Sequence, residues 1–167
     1  MSMKTTPHRN RRRLLTSALA LGTVLSSGFA QAADLYAGSP WRKVTDSDWK
    51  KKVPPLAYGV LRHEDTERPG TSALLNEHRK GVFVCLGCEL PLFRSEAKYD
   101  SGTGWPSFFM PMKSALATKT DFAIGVPRTE YHCARCLGHH GHVFDDGPRP
   151  TGLRYCSNGA ALKFIPA

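Results

Sequence analysis

Gly81-Val82-Phe83-Val84-Cys85-Leu86-Gly87-Cys88 is the stretch on which the fold turns. A short apolar run ends in a Cys-x-x-Cys turn. The same grammar returns in Thr129-Glu130-Tyr131-His132 followed by Cys133-Ala134-Arg135-Cys136, with 44 residues between the two cysteine pairs. Short runs rich in β-branched and aromatic residues, bounded by turn formers, read as strands. Phe108-Phe109, Phe122-Ala123-Ile124 and Leu162-Lys163-Phe164-Ile165 are of the same kind. Asp100-Ser101-Gly102-Thr103-Gly104 and Gly147-Pro148-Arg149-Pro150-Thr151-Gly152 punctuate them. The expectation is a mostly β domain of antiparallel strands joined by turns and loops.

Toward the N-terminus the pattern weakens, and helices become the expectation. Asp46 to Lys52 reads as a short helix, with Thr45 or Ser47 as N-cap and Pro54-Pro55 as its stop. Ala57 to His63 is a second short element, and Thr66-Glu67-Arg68-Pro69-Gly70 a loop. Lys50-Lys51-Lys52 beside Trp49 reads as a solvated helix face.

Residues 1–32 have a different logic: a basic head, an apolar run from Leu14 to Ala30, then Ala30-Gln31-Ala32 before Ala33. This is the layout of a cleaved export signal. Arg11-Arg12-Arg13-Leu14-Leu15 resembles a twin-arginine signal, which carries folded, metal-loaded proteins across the bacterial inner membrane. The apolar run is broken by Thr, Ser and Gly, so stable membrane insertion is not expected. The expected mature chain is residues 33–167, a single periplasmic domain. The net charge of +9 comes from 23 basic and 14 acidic residues. Five of the bases (Lys4, Arg9, Arg11, Arg12 and Arg13) precede Asp34 without an acid, so the balance beyond them is 18 − 14 = +4. A nucleic-acid partner therefore loses its main support.

Five cysteines are present. Two Cys-x-x-Cys knuckles suit a tetrahedral zinc held by Cys85, Cys88, Cys133 and Cys136, a structural site because no coordination position stays open. Short disulfide loops are the competing reading for an exported chain, and a redox-active pair is a third. Cys156 is left over, either a buried packing residue or a reactive thiol. In a strand reading of Arg154-Tyr155-Cys156-Ser157-Asn158, alternation puts Arg154, Cys156 and Asn158 on one face. A cation there favours the thiolate. His139-His140-Gly141-His142 offers acid/base groups for such a thiol or, equally, exposed loop histidines. His139 and His142 would face opposite sides of a regular strand, unless Gly138 and Gly141 permit a bulge.

Taken together, these segments resemble the B-type methionine sulfoxide reductases. The resemblance is carried by Val84-Cys85-Leu86-Gly87-Cys88, Pro91-Leu92-Phe93, Ser101-Gly102-Thr103-Gly104-Trp105-Pro106-Ser107-Phe108 and Cys133-Ala134-Arg135-Cys136. It continues through Gly141-His142-Val143-Phe144-Asp145-Asp146-Gly147-Pro148, Pro150-Thr151-Gly152 and Arg154-Tyr155-Cys156-Ser157-Asn158, and closes on Leu162-Lys163-Phe164. It implies two antiparallel sheets with a few short helices and one structural Zn2+ on the four paired cysteines. It implies reduction of methionine-R-sulfoxide, protein-bound with the free amino acid left open, through a Cys156 sulfenic acid, repairing oxidised exported proteins. His142, His139 and Asn158 match the catalytic network; Trp105 and Phe144 match the apolar pocket, with Arg154 placed beside the substrate. Electrons would come from a thioredoxin-like or other thiol reductant, and a monomer is expected.

Two positions depart from the family pattern. Thr103 stands where many relatives carry a resolving cysteine. His140 replaces a more usual aliphatic residue and is read as a surface substitution. The rival classes are a zinc-clipped binding module, which would tolerate loss of Cys156, and a general thiol oxidoreductase or peroxidase.

Overall fold

The computed structural model describes residues 34–167; the expected export signal lies outside the described residues. Helix α1 spans Asp46–Lys52. Thr45 is its cap: the side-chain oxygen accepts the Asp48 N–H at 3.2 Å, and Lys50, Lys51 and Lys52 in the last turn suit the negative end of the helix. Trp49 is buried and the lysines are exposed. Helix α2, Pro55–His63, begins two residues before the expected start, because a proline fits the first turn, where its missing N–H costs nothing. It ends at Glu64 in the left-handed conformation, φ 60°. Ala57, Val60 and Leu61 turn its apolar stripe to the core. No described helix is long and apolar enough to cross a membrane.

Nine strands follow: β1 Gly81–Cys85, β2 Pro91–Arg94, β3 Lys98–Tyr99, β4 Ser107–Phe108, β5 Leu116–Asp121, β6 Arg128–Cys133, β7 His139–Phe144, β8 Arg154–Ser157 and β9 Leu162–Pro166. They form a three-stranded sheet in the order β2-β1-β9 and a six-stranded sheet in the order β3-β4-β8-β7-β6-β5. The pairings are antiparallel. The mostly β fold with short helices on its N-terminal side is therefore as the sequence implies.

The sheets meet over aromatic residues. Phe93 from β2 stacks on Phe108 from β4 with ring centroids 4.1 Å apart, and Phe83 from β1 meets Phe108 edge-on at 4.9 Å. All three are fully buried, and each such side chain contributes roughly 1.5–3 kcal/mol by leaving water.

Two expectations need correction. Phe122-Ala123-Ile124 is not a strand but the tip of the β5–β6 hairpin, with Phe122 66% and Ile124 61% exposed. Gly125, at φ +78°, supports the reversal there, and the run has no neighbouring strand to bury it. His140 is not a surface residue but wholly buried, its ring parallel to that of Tyr131 at 6.3 Å.

The cause of the second correction is a bulge. Tyr131 pairs with Gly141 and His132 with His139, so β7 fits one extra residue, His140, into the ladder. The bulge removes the strict alternation that would separate His139 from His142. Their rings lie 5.5 Å apart. Gly141 is required at this point, since a Cβ would collide with the carbonyl oxygen of Cys156 on β8.

Candidate active site and metal site

Cys156 sits in the middle of the larger sheet, directly opposite His142 on β7 and Ser107 on β4. Opposed residues in an antiparallel ladder project to the same face, so the thiol and the imidazole share one side of the sheet. Above them is a cleft of about 130 Å³ lined by Trp105, His142, Phe144, Cys156, Asn158, Thr66, Arg128, Gly141 and Ser157. Five of the residues singled out in the sequence, Cys156, His142, Asn158, Trp105 and Phe144, thus line one cleft.

Arg154 and His139 lie outside this lining. The Arg154 guanidinium forms a bidentate pair with Asp146, 2.7 and 2.8 Å, and lies 4.2 Å over the Phe144 ring. It acts on the cleft from behind the aromatic wall. His139, 3% exposed, faces a separate cavity.

Burial raises the Cys156 thiol above the ordinary range, and its neighbours only partly offset this: the Arg154 charge and hydrogen bonds from Thr103 and Arg154 favour the thiolate. The sequence reading of a cation beside the sulfur holds, but desolvation outweighs it. His142 is shifted down, again by burial first, while Asp121 pulls the other way. Its Nε2 lies 2.8 Å from Asp121 Oδ2. Asp121 is held well below the usual carboxylate range by the Ala123 N–H, then by His142 and Arg128. An ionised carboxylate only accepts, so Nε2 carries the proton of this contact, leaving Nδ1 for the cleft.

Several of the site's supports could not be picked out from the sequence. Glu67, 4% exposed, has its carboxylate bound by the backbone N–H groups of Gly159 and, at 3.0 Å, Ala160. Its own N–H donates to Asn158 Oδ1 at 2.9 Å, and its carbonyl accepts the Trp105 indole N–H at 3.0 Å. One loop residue therefore ties the wall of the cleft to the end of β8. Asn158 Nδ2 donates to the His140 carbonyl at 3.0 Å, fixing the bulge from the other side. Thr103 and Ser107 both hydrogen-bond to the Ser101 hydroxyl, at 2.8 and 2.7 Å. The only sequence signal for Glu67 was its place in the Thr66-Glu67-Arg68-Pro69 stretch; Asp121, at the end of a strand remote in sequence from His142, gave none.

The four paired cysteines form a second site. Cys85 ends β1 in the smaller sheet and Cys88 lies in the turn after it; Cys133 ends β6 in the larger sheet and Cys136 lies in the turn after it. Their sulfur atoms lie within 4.8 Å of one another, Cys85–Cys136 at 3.7 Å and Cys88–Cys133 at 3.4 Å. A tetrahedron with metal–sulfur bonds of about 2.3 Å has edges of about 3.8 Å, so the buried quartet fits one ion. Neither pair is closed as a disulfide.

A single cysteine opposed by a histidine at the foot of an aromatic-walled cleft defines a class, that of enzymes built around one thiol. The family follows from comparison. The SelR domain matches residues 53–166. The chain is 52% identical over 121 residues to the peptide methionine sulfoxide reductase MsrB of Leptospira interrogans, covering 72% of this chain and 92% of that protein. MsrB of Bradyrhizobium diazoefficiens is 50% identical over 123 residues, 73% of this chain and 88% of the relative. The chloroplastic peptide methionine sulfoxide reductase B1 of Arabidopsis thaliana is 43% identical over 153 residues, 91% and 76% respectively. The chain belongs to the MsrB family.

Proposed function

We propose that this chain reduces methionine-R-sulfoxide to methionine, with Cys156 as nucleophile. The observation that carries the reading is the register of β7, β8 and β4, which sets Cys156 beside His142 under a cleft walled by Trp105 and Phe144. The aromatic walls suit the S-methyl group and the polar side suits the oxygen. Unlike walls about a chiral sulfur distinguish its two epimers, and the R form is the one the B-type resemblance assigns.

Cys156 attacks the sulfoxide sulfur. One proton leaves Sγ, one proton reaches the sulfoxide oxygen, and the oxygen passes to Sγ: thiol plus sulfoxide gives sulfenic acid plus thioether, with no net proton. Cysteine sulfur is oxidised by two electrons and methionine sulfur reduced by two. His142, held by Asp121, is placed to move the proton. With Thr103 at the resolving position and the other four cysteines in the metal quartet, an external thiol attacks the sulfenic acid, releasing water. A second thiol then frees Cys156 and leaves the reductant as a disulfide.

Cys85, Cys88, Cys133 and Cys136 hold a structural zinc, which clips the two sheets and takes no part in these steps. Residues 1–32 direct the chain to the periplasm, where it repairs oxidised exported proteins as a monomer. Replacing Arg11 and Arg12 with Lys tests the route: export stops if it is the twin-arginine one and continues if a general secretory signal is at work.

The catalytic reading is tested by giving the protein equal R and S methionine sulfoxide with dithiothreitol and following each epimer by chiral chromatography. Loss of the R form alone, abolished in Cys156→Ser, is the expected result. A folded, zinc-loaded sample that consumes neither epimer overturns it.

A further inference from the structure

Beside the cleft, on the same face of the larger sheet, lies a cavity of about 290 Å³ whose lining shares no residue with that of the cleft; the pairings Lys119↔Glu130 and Glu130↔His142 continue into it the cross-strand row that holds Cys156. Glu130, from β6, is 2% exposed there. Its Oε1 lies 3.0 Å from His139 Nδ1 and its Oε2 3.0 Å from Lys119 Nζ, the Lys119 ammonium also reaching Glu64 at 2.5 Å. Neither ring nitrogen of His139 makes an aligned hydrogen bond among the described residues, and Glu130 Oε2 has none either. A buried carboxylate costs several kcal/mol in lost hydration. Its position is accounted for by what it touches: the histidine whose ring stands 5.5 Å from that of His142.

We propose that Glu130 is a positioning residue for the reduction, holding a proton on the His139–His142 pair and supplying it from the neighbouring cavity while substrate fills the cleft. The inference rests on the reductase reading and deepens it. When Cys156 attacks as thiolate, the balance of that step is one thiolate, one sulfoxide and one proton giving one sulfenic acid and one thioether, so a proton must be delivered at each attack; it is returned when the second reductant thiol releases Cys156 as thiolate. A substrate filling the cleft closes that way to water. The neighbouring cavity gives a second way, from solvent past Lys119 to Glu130 and His139. The charged and titratable groups facing Glu130 are Lys119 from β5, His132 from β6, His139 from β7, and Arg62 and Glu64 at the end of α2. Two charges of opposite sign thus stand beside the pair, the Glu130 carboxylate and the Lys119 ammonium, while His142 faces Asp121 and Arg128 on its other side.

The test is the pH dependence of kcat/KM for methionine-R-sulfoxide with dithiothreitol. Glu130→Gln removes the negative charge and should move the basic limb to lower pH by about one unit, the effect of one near charge. Lys119→Met, at a half-exposed residue, should move the same limb to higher pH. Opposite shifts support the proposal, because a purely structural defect lowers the rate without moving the limb in two directions. If Glu130→Gln fails to fold, Lys119→Met decides alone. An active wild type with an unmoved limb in the folded variants overturns the proposal, and a folded wild type without turnover overturns the reductase reading itself.

Discussion

At Cys156, burial and charge pull in opposite directions, and burial prevails. Alkylation of Cys156 by iodoacetamide should therefore rise with pH to a midpoint above the ordinary thiol range. Arg154→Met, which removes the favourable cation, should move that midpoint higher still and slow alkylation several-fold at a fixed pH of about 8. A midpoint unchanged or lower in the variant would show that the guanidinium acts only on Asp146 and Phe144. Thr103 hydrogen-bonds Cys156. Thr103→Cys should accordingly convert the sulfenic acid of one turnover into an intrachain disulfide, read as two thiols lost by mass spectrometry, where the wild type loses one. His140 shows what a residue's type conceals. Its burial was illegible because three histidines beside a glycine look like an exposed loop. Burial pushes it down to about 4, so it folds neutral. The unfolded chain takes up its proton near 6.5 while the folded one does not until about 4, so stability falls as pH drops through that window. His140→Leu should lose less stability than wild type between these limits in urea titrations.

Strand β7 carries the site because of its bulge, and here the sequence was informative. Gly138 and Gly141 flank the histidines, and the structure uses Gly141 where a Cβ would strike the Cys156 carbonyl. Gly141→Ala should break the β7–β8 pairing, lowering stability by about 3 kcal/mol in urea unfolding and removing most activity. The β5–β6 hairpin gives the contrasting case: Phe122-Ala123-Ile124 has strand composition but no sheet to face. Phe122→Ser should change stability by no more than about 0.5 kcal/mol, since little leaves or enters water there. Cys156, His142, Trp105, Phe144 and Asn158 were legible because each belongs to a recognisable run. The supports Glu67, Asp121 and Glu130 were not, because isolated carboxylates acquire partners only through pairings 21 to 93 residues away in the chain or through packing against the next strand.

For the molecule as a whole, the cysteine quartet brings together the smaller sheet and the larger across 44 intervening residues. Purified protein should contain one zinc per chain by elemental analysis. Stripping it with a chelator, or Cys133→Ser, should unfold the domain, because structural zinc contributes about 10 kcal/mol or more to small metal-dependent folds. Retained far-UV and near-UV dichroism after complete metal loss would refute a structural role. The quartet was legible from spacing alone. Which sheets it would join was not, since strand order depends on pairings between distant segments.

Strand β1 lies between β2 and β9, and Gly81 pairs with Pro166, far later in the sequence. The centre of the smaller sheet thus waits for a segment synthesised long after it. A nascent chain that has not yet made β9 holds β1 with one edge unpaired, its backbone groups open to a wrong partner. Deleting β9 should make that state permanent and leave a chain that other proteins must shield from aggregation.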